Sequence, residues 1–366
     1  MEHLLSNIAL IGIVLIAACL LSSVLERAGV PMAAVFLALG ALIGPLGLAL
    51  LDVGFHDPIL KVLATLGLTL VLFSDAVTLR IPEIRAHWRI VWRVLGPGTL
   101  LPAAIVGGAA WWLLGVPVAG AAILGAALAS TDPVLLRGVL RSPALPAPAK
   151  LALRIETGMN DIVLLPIVVL AMLVLRAPST GGVGPHEIVR EAIGLFILGP
   201  LFGALIGWAG ITALVMTRRR VGVRRDYESL YALGLAFSAY AAAEAVGGSG
   251  FVAAFGAGLM VAMQDVELCD CFLEYGEATA EMLLLLTFVA LGASLIWLGL
   301  GDIDWRLAVF AVIALGARGA VLYPMLTGVM ERRNRRLVSL LGARGLSSLL
   351  LVLLPVFAVL PGSERL

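Results

Sequence analysis

From Ile162 to Leu175 the chain reads IVLLPIVVLAMLVL, without one polar side chain. Runs of this kind recur along the whole length, and charged residues make up only 13% of it. A water-soluble domain cannot cover so much apolar surface, and a mean hydropathy of +1.06 places the chain in lipid. Backbone in hydrocarbon must satisfy its own hydrogen bonds, and apolar runs of about 20 residues do so as helices. The expected fold class is therefore all-α, a polytopic membrane protein.

Hydropathy places twelve spans, near 6–26, 31–50, 58–79, 89–114, 117–140, 150–175, 187–216, 227–245, 248–264, 279–299, 305–329 and 336–360. Their connections are short, so 1–366 reads as a single integral-membrane domain. The first run lacks a basic leader and a small-residue cleavage site, and reads as a span rather than a signal peptide. Of the 25 Lys and Arg residues, eighteen fall in loops after odd-numbered spans and five on the other side. The positive-inside bias puts the N-terminus outside and the basic loops in the cytoplasm of a cell membrane. The acidic stretch DVELCDCFLEYGE at 265–277 dissents, but carboxylates count little in that rule.

The remaining composition excludes more than it assigns. A net charge of +1 gives no reason to expect nucleic acid. Cys19 lies in an apolar run, and Cys269 and Cys271 flank Asp270, which is a weak metal signal and no disulfide framework. His3, His56, His87 and His186 fall in loops or at helix edges. Neither a nucleophile triad nor a phosphate loop is present, so neither an enzyme nor a cofactor is expected.

Ionisable groups inside a membrane are costly and need a partner or a task. Asp75, Asp132, Glu156, Asp161, Glu244, Glu281, Arg318 and Arg344 fall within or at the ends of the spans. Asp132 precedes a proline in ALASTDPVLL, which removes a backbone donor and disfavours helix at the aspartate. Thr131 and Asp132 thus read as part of an ion site on an unwound segment; a simple proline kink is the alternative. In ETGMND, Glu156 stands one turn from Asn160 and Thr157 one turn from Asp161. The second pair offers a hydroxyl and a carboxylate, hard oxygens suited to an alkali cation. The first suits a structural partner, with Arg318 or Arg344 as counter-ion to Glu156. A helix cap is the alternative for this segment, although KLALRI before it already reads as helix. Asp75 either lines an access funnel or is a solvated helix end, and Glu244 and Glu281 read as solvated or interfacial. Gly199, Gly203 and Gly207 permit close backbone approach, by internal packing or at a dimer contact. Acidic helices, a proline break and late arginines together form the pattern of a secondary transporter.

STDPV at 130–134 and ETGMND at 156–161 resemble the paired motifs of NhaP-like sodium/proton antiporters of the monovalent cation:proton antiporter-1 family. LVLFSDAVTL at 70–79, GGSGFVAAFGAGLMV at 247–261, LLTFVALGASL and GARGLSSLLLVLLP are similar to further segments of that family, in order and over nearly the whole chain. The resemblance implies thirteen helices with inverted repeats, a dimerisation part, and a six-helix core holding two crossed, partly unwound helices, in a homodimer. It implies Asp161 as the carboxylate that binds cation or proton, with Asp132 and the Thr131 backbone beside it. Thr157 stands where the family usually has serine, and Glu156 pairs with Arg318 as a structural bridge. Asn160 occupies the place of a second aspartate in electrogenic relatives, a pattern that goes with electroneutral exchange. The transported ions are then H+ and Na+ or Li+; K+ on the same fold, or a non-transporting sensor or channel, are the alternatives. This chain departs at Thr157, Gly158 and Met159, where the family commonly reads Ser-Leu-Leu, and it ends after the twelfth span where relatives continue into another helix.

Overall fold

A computed structural model describes residues 32–45, 47–49, 58–131, 145–180, 184–264, 270–294, 304–342 and 351–355, with a few isolated positions besides. Asp132, Arg344 and most of the first expected span lie outside the described residues. Among those described, every regular element is helical. In chain order they are α1 (Met32–Ile43), α2 (Pro58–Val77), α3 (Ile81–Ala86), α4 (Trp88–Leu95), α5 (Pro97–Leu114), α6 (Val118–Ala129), α7 (Ala147–Thr180) and α8 (Pro185–Ile193). After a π-helical turn at Gly194–Leu198 come α9 (Gly199–Arg220), α10 (Arg225–Ala245), α11 (Gly250–Met263), α12 (Asp270–Gly292), α13 (Trp305–Met325) and α14 (Arg332–Leu340). Among the described residues, six stretches are long and apolar enough to cross a bilayer: Leu60–Val77, Trp88–Leu114, Ala147–Leu175, His186–Arg220, Tyr275–Gly292 and Trp305–Met325. The chain is a multi-pass membrane protein.

Two compact units form, one from Met1–Leu68 with Ala278–Ile303, the other from Thr69–Glu277 with Asp304–Leu366. Helices in lipid gain little from burying apolar faces against each other, so contact depends on how closely backbones approach. In the first unit, a Cβ on Gly40 would stand 2.2 Å from Val289 O, and one on Gly292 would stand 2.1 Å from Leu37 O. The second unit repeats the device. A Cβ on Gly203 would meet Ala253 O at 2.2 Å, and one on Gly207 would meet Ala257 O at 2.7 Å. The Gly199, Gly203 and Gly207 run therefore serves an internal seam between α9 and α11. Near the head of that seam, Gly194 O accepts the Ser249 amide at 3.1 Å. Glu244 Oε1 accepts the Gly250 amide at 2.9 Å, answering a donor that the first turn of α11 leaves open.

The span at 117–140 is interrupted, in keeping with the proline after Asp132: α6 stops at Ala129 and Ser130 takes an extended conformation (φ −64°, ψ 142°). Two other spans differ from expectation. The twelfth span begins early, at Arg332, and its helix ends at Leu340, with Leu341 and Gly342 non-helical. Finally, α12 starts at Asp270, inside the stretch read as an acidic loop. Glu and Ala are strong helix formers, so EYGEATAE carries the helix outward, with Glu277 and Glu281 one turn apart.

Gly203→Val is expected to cost more than the roughly 1–3 kcal/mol of ordinary overpacking, since the new atoms meet backbone. Gly108, with nothing within 4 Å of an added Cβ, accepts alanine with a gain of up to about 1 kcal/mol. Thermal unfolding of the two purified variants in detergent checks both signs.

Candidate functional site

The site lies within the second unit, where α7 meets the interruption after α6. Helix α7 runs unbroken through Gly158, whose missing side chain lets Leu79 pack close: an added Cβ would sit 3.3 Å from Leu79 Cδ2. Asp75 belongs to the same neighbourhood, its carbonyl 3.8 Å from that Cβ position and accepting the Thr78 hydroxyl at 2.8 Å. The Asp75 residue is half-buried at the end of α2.

At the break, consecutive residues of α7 grip consecutive residues of the extended segment. Asp161 Oδ1 accepts the Ser130 hydroxyl at 2.5 Å. Asn160 Nδ2 donates to Thr131 Oγ1 at 2.8 Å and to Thr131 O at 3.2 Å. Ser130, Thr131, Asn160 and Asp161 are all buried. A helix end in the membrane leaves carbonyls without intrahelical donors, and Asn160 supplies one of the missing partners. Asn160 Oδ1 is buried and accepts no hydrogen bond among the described residues. Thr157 is buried as well; its hydroxyl donates to Leu153 O at 3.0 Å, which leaves the oxygen's lone pairs available.

One turn before Asn160, Glu156 reaches a different partner. Its carboxylate accepts two hydrogen bonds from Arg318 of α13, Nε to Oε1 at 2.6 Å and Nη2 to Oε2 at 2.7 Å. Both side chains are only 4% exposed. Arg318 Nη1 also donates to Ser339 O at 3.2 Å, in the last turn of α14. Gly342, just past that helix, lies against the guanidinium so closely that a Cβ there would fall 2.0 Å from Arg318 Cζ. The expected Glu156–Arg318 contact is thus present, while Ser130, Ser339 and Gly342 enter the site unannounced. The STDPV motif held a signal for Ser130, since the residue before the break has its side chain free of helical packing. No such signal marked Ser339.

The chain resembles known proteins over nearly its whole length. The family model for the transmembrane sodium/hydrogen exchanger matches residues 11–364. Over 367 residues the chain is 24% identical to the K+/H+ antiporter NhaP of Alkalimonas amylolytica, covering 99% of this chain and 62% of that protein. Over 369 residues it is 27% identical to the K+/H+ antiporter NhaP2 of Shewanella sp. (strain ANA-3), covering 97% and 62%. The chain thus spans about three fifths of the length of these curated relatives. The sodium proton antiporter MjNhaP1 from Methanocaldococcus jannaschii, solved at pH 8, has the same fold, with a TM-score of 0.76 at 21% identity, covering 96% of this chain and 86% of that one.

Removing one member of a buried ion pair strands the other. Arg318→Met and Glu156→Leu should each lower stability by about 3–5 kcal/mol, and the double variant should recover much of it. Unfolding temperatures of the four proteins in one detergent measure the coupling; additive losses would mean that the pair contributes nothing as a pair.

Proposed function

The chain belongs to the sodium/hydrogen exchanger family, and on that premise we propose that it exchanges a monovalent cation for protons across the membrane at Asp161. The observation that carries the reading is a buried carboxylate held against an interrupted helix, with a carbonyl and hydroxyls beside it. Such oxygens suit a hard alkali cation. A carboxyl group withdrawn from water holds either a proton or a cation, because protonation removes the charge that attracts the cation. Competition for one group then couples the two fluxes, with no covalent step and no cofactor.

In this reading Asp161, Thr131 and Thr157 supply oxygen ligands, and Asp132 adds a carboxylate from the next position along the interrupted segment. Asn160 holds Thr131 and contributes no charge, which favours one-for-one, electroneutral exchange. Glu156 and Arg318 fix α7 to α13, Arg344 is a further supporting cation, and Asp75 stands on the approach to the site. The whole of 1–366 acts as one exchanger domain, in a homodimer with the basic loops cytoplasmic. Na+ is the leading cargo, with Li+ as its smaller substitute. K+ is the second reading, supported by the names of the curated relatives.

Purified protein in liposomes with an imposed pH gradient, read by a pH-sensitive dye, tests this directly. Sodium, lithium and potassium are added in turn to the wild type and to Asp161→Asn. Cation-driven proton movement is expected in the wild type and lost in the variant; the ion giving half-maximal response at the lowest concentration names the cargo. Flux that survives Asp161→Asn would point to a channel, and folded wild-type protein without flux to a sensor. A second check clamps the membrane potential with an ionophore for an ion other than the cargo. The exchange rate should not change, and a rate that follows the potential would remove the electroneutral stoichiometry.

A further inference from the structure

Helix α4 sorts its side chains by face. Ile90 and Val94 are buried in an apolar cluster with Leu153, Leu322 and Leu326. Trp88, Arg89 and Trp92 are exposed and Arg93 is half-buried. Positions 88 and 92, like 89 and 93, are one turn apart, so two indoles and two guanidiniums stand in parallel rows. With Met325 and Thr327 at the end of α13, they line a cavity of about 610 Å³. Among the described residues no carboxylate lines it.

The cations of this cavity are held in place, with no carboxylate paired to either among the described residues. Arg93 Nη1 donates to Met325 O at 3.1 Å and to Thr327 O at 2.5 Å, capping the C-terminus of α13. A guanidinium carries five N–H donors, so several remain. Arg89 lies over the Trp88 ring, 5.9 Å from its centroid. Behind them Arg335 donates to Thr327 Oγ1 and covers the Tyr323 ring at 4.9 Å. A contrasting site clarifies what is special here. Arg306 stacks on Trp305 at the same 5.9 Å, but Asp304 Oδ2 lies 3.9 Å from its Nε, so its charge is answered within the protein.

Position supplies the rest. Trp88 opens Trp88–Leu114, a stretch long and apolar enough to cross a membrane, and the end of such a stretch falls at the level of the lipid headgroups. Tryptophan is at home there, and basic side chains at that level attract anionic lipid. We propose that this cavity binds an anionic phospholipid, its phosphate on the guanidiniums of Arg89 and Arg93 and its glycerol and upper acyl chain against Trp88 and Trp92. The arginine fork matches two phosphate oxygens at once, which a zwitterionic lipid offers only with a competing cation beside them.

Native mass spectrometry of the purified protein, supplied with equal phosphatidylglycerol and phosphatidylcholine, tests the site without requiring transport, so it stands or falls separately from the exchange reading. The wild type should retain phosphatidylglycerol in preference. Arg89→Gln should retain about fivefold less, the order that one interfacial arginine contributes. Arg306→Gln should retain as much as the wild type, and Arg89→Lys, which keeps the charge but not the fork, should retain less than the wild type and more than Arg89→Gln. Equal retention by Arg89→Gln and wild type, or equal retention of the two lipids, would overturn the proposal. Displacement of phosphatidylglycerol by millimolar inorganic phosphate would also overturn it, by making the site one for a free anion.

Discussion

The Glu156 carboxylate and the Arg318 guanidinium meet where neither can reach water, and the second unit is organised around making that tolerable. Each ion forfeits hydration worth several kcal/mol, recovered only by good geometry and by satisfying the remaining donors. Two parallel hydrogen bonds to the carboxylate and a third to Ser339 O meet that condition. On α13, Ala317 before Arg318 belongs to the apolar cluster around Val106 and Phe310, and Leu322 one turn later to the cluster around Leu153 and Val338. The arginine is thus clamped between two dry layers, and α7, α13 and the end of α14 hold their relative positions through it.

Both helix interruptions depend on α7. The first is held by Asn160 and Asp161, directly. The second is reached through Arg318, which Glu156 orients toward Ser339 and Gly342. Over six residues α7 therefore presents one polar surface to a break in α6 and another, by way of the ion pair, to the break after α14. Irregular backbone in a membrane survives only where protein supplies its hydrogen bonds, and one short segment supplies them on two sides.

Much of this was legible in the residues. Charge-free runs dictated helices, the proline after Asp132 announced an interruption, and ETGMND marked α7 as the span whose polar side chains need partners from other segments. The cost of leaving Glu156 alone called for a counter-ion from Arg318 or Arg344, and the family resemblance chose Arg318. What escaped notice depends on contacts between distant segments. Hydropathy carried the twelfth span through Leu341 and Gly342 because it weighs side-chain transfer and not backbone bonding. Gly199, Gly203 and Gly207 were compatible with an internal seam or a dimer contact because small residues serve both, and only Ala253 and Ala257 opposite them decide. The early start of α12 was missed because acidic residues read as solvated, although glutamate favours helix.

The partner chosen for Asp161 has a consequence of its own. A backbone N–H or a guanidinium can only donate, so its bond to a carboxylate weakens when the acid gains a proton. The Ser130 hydroxyl is ambidextrous: it gives its hydrogen to a charged carboxylate and, by rotating about one bond, accepts from a neutral acid. The contact between α6 and α7 at this point can therefore be kept in either charge state of the acid. A proton can come or go while the two helices keep their spacing, which leaves the surrounding backbone free to respond to which ion is present and not to a hydrogen bond being made or broken.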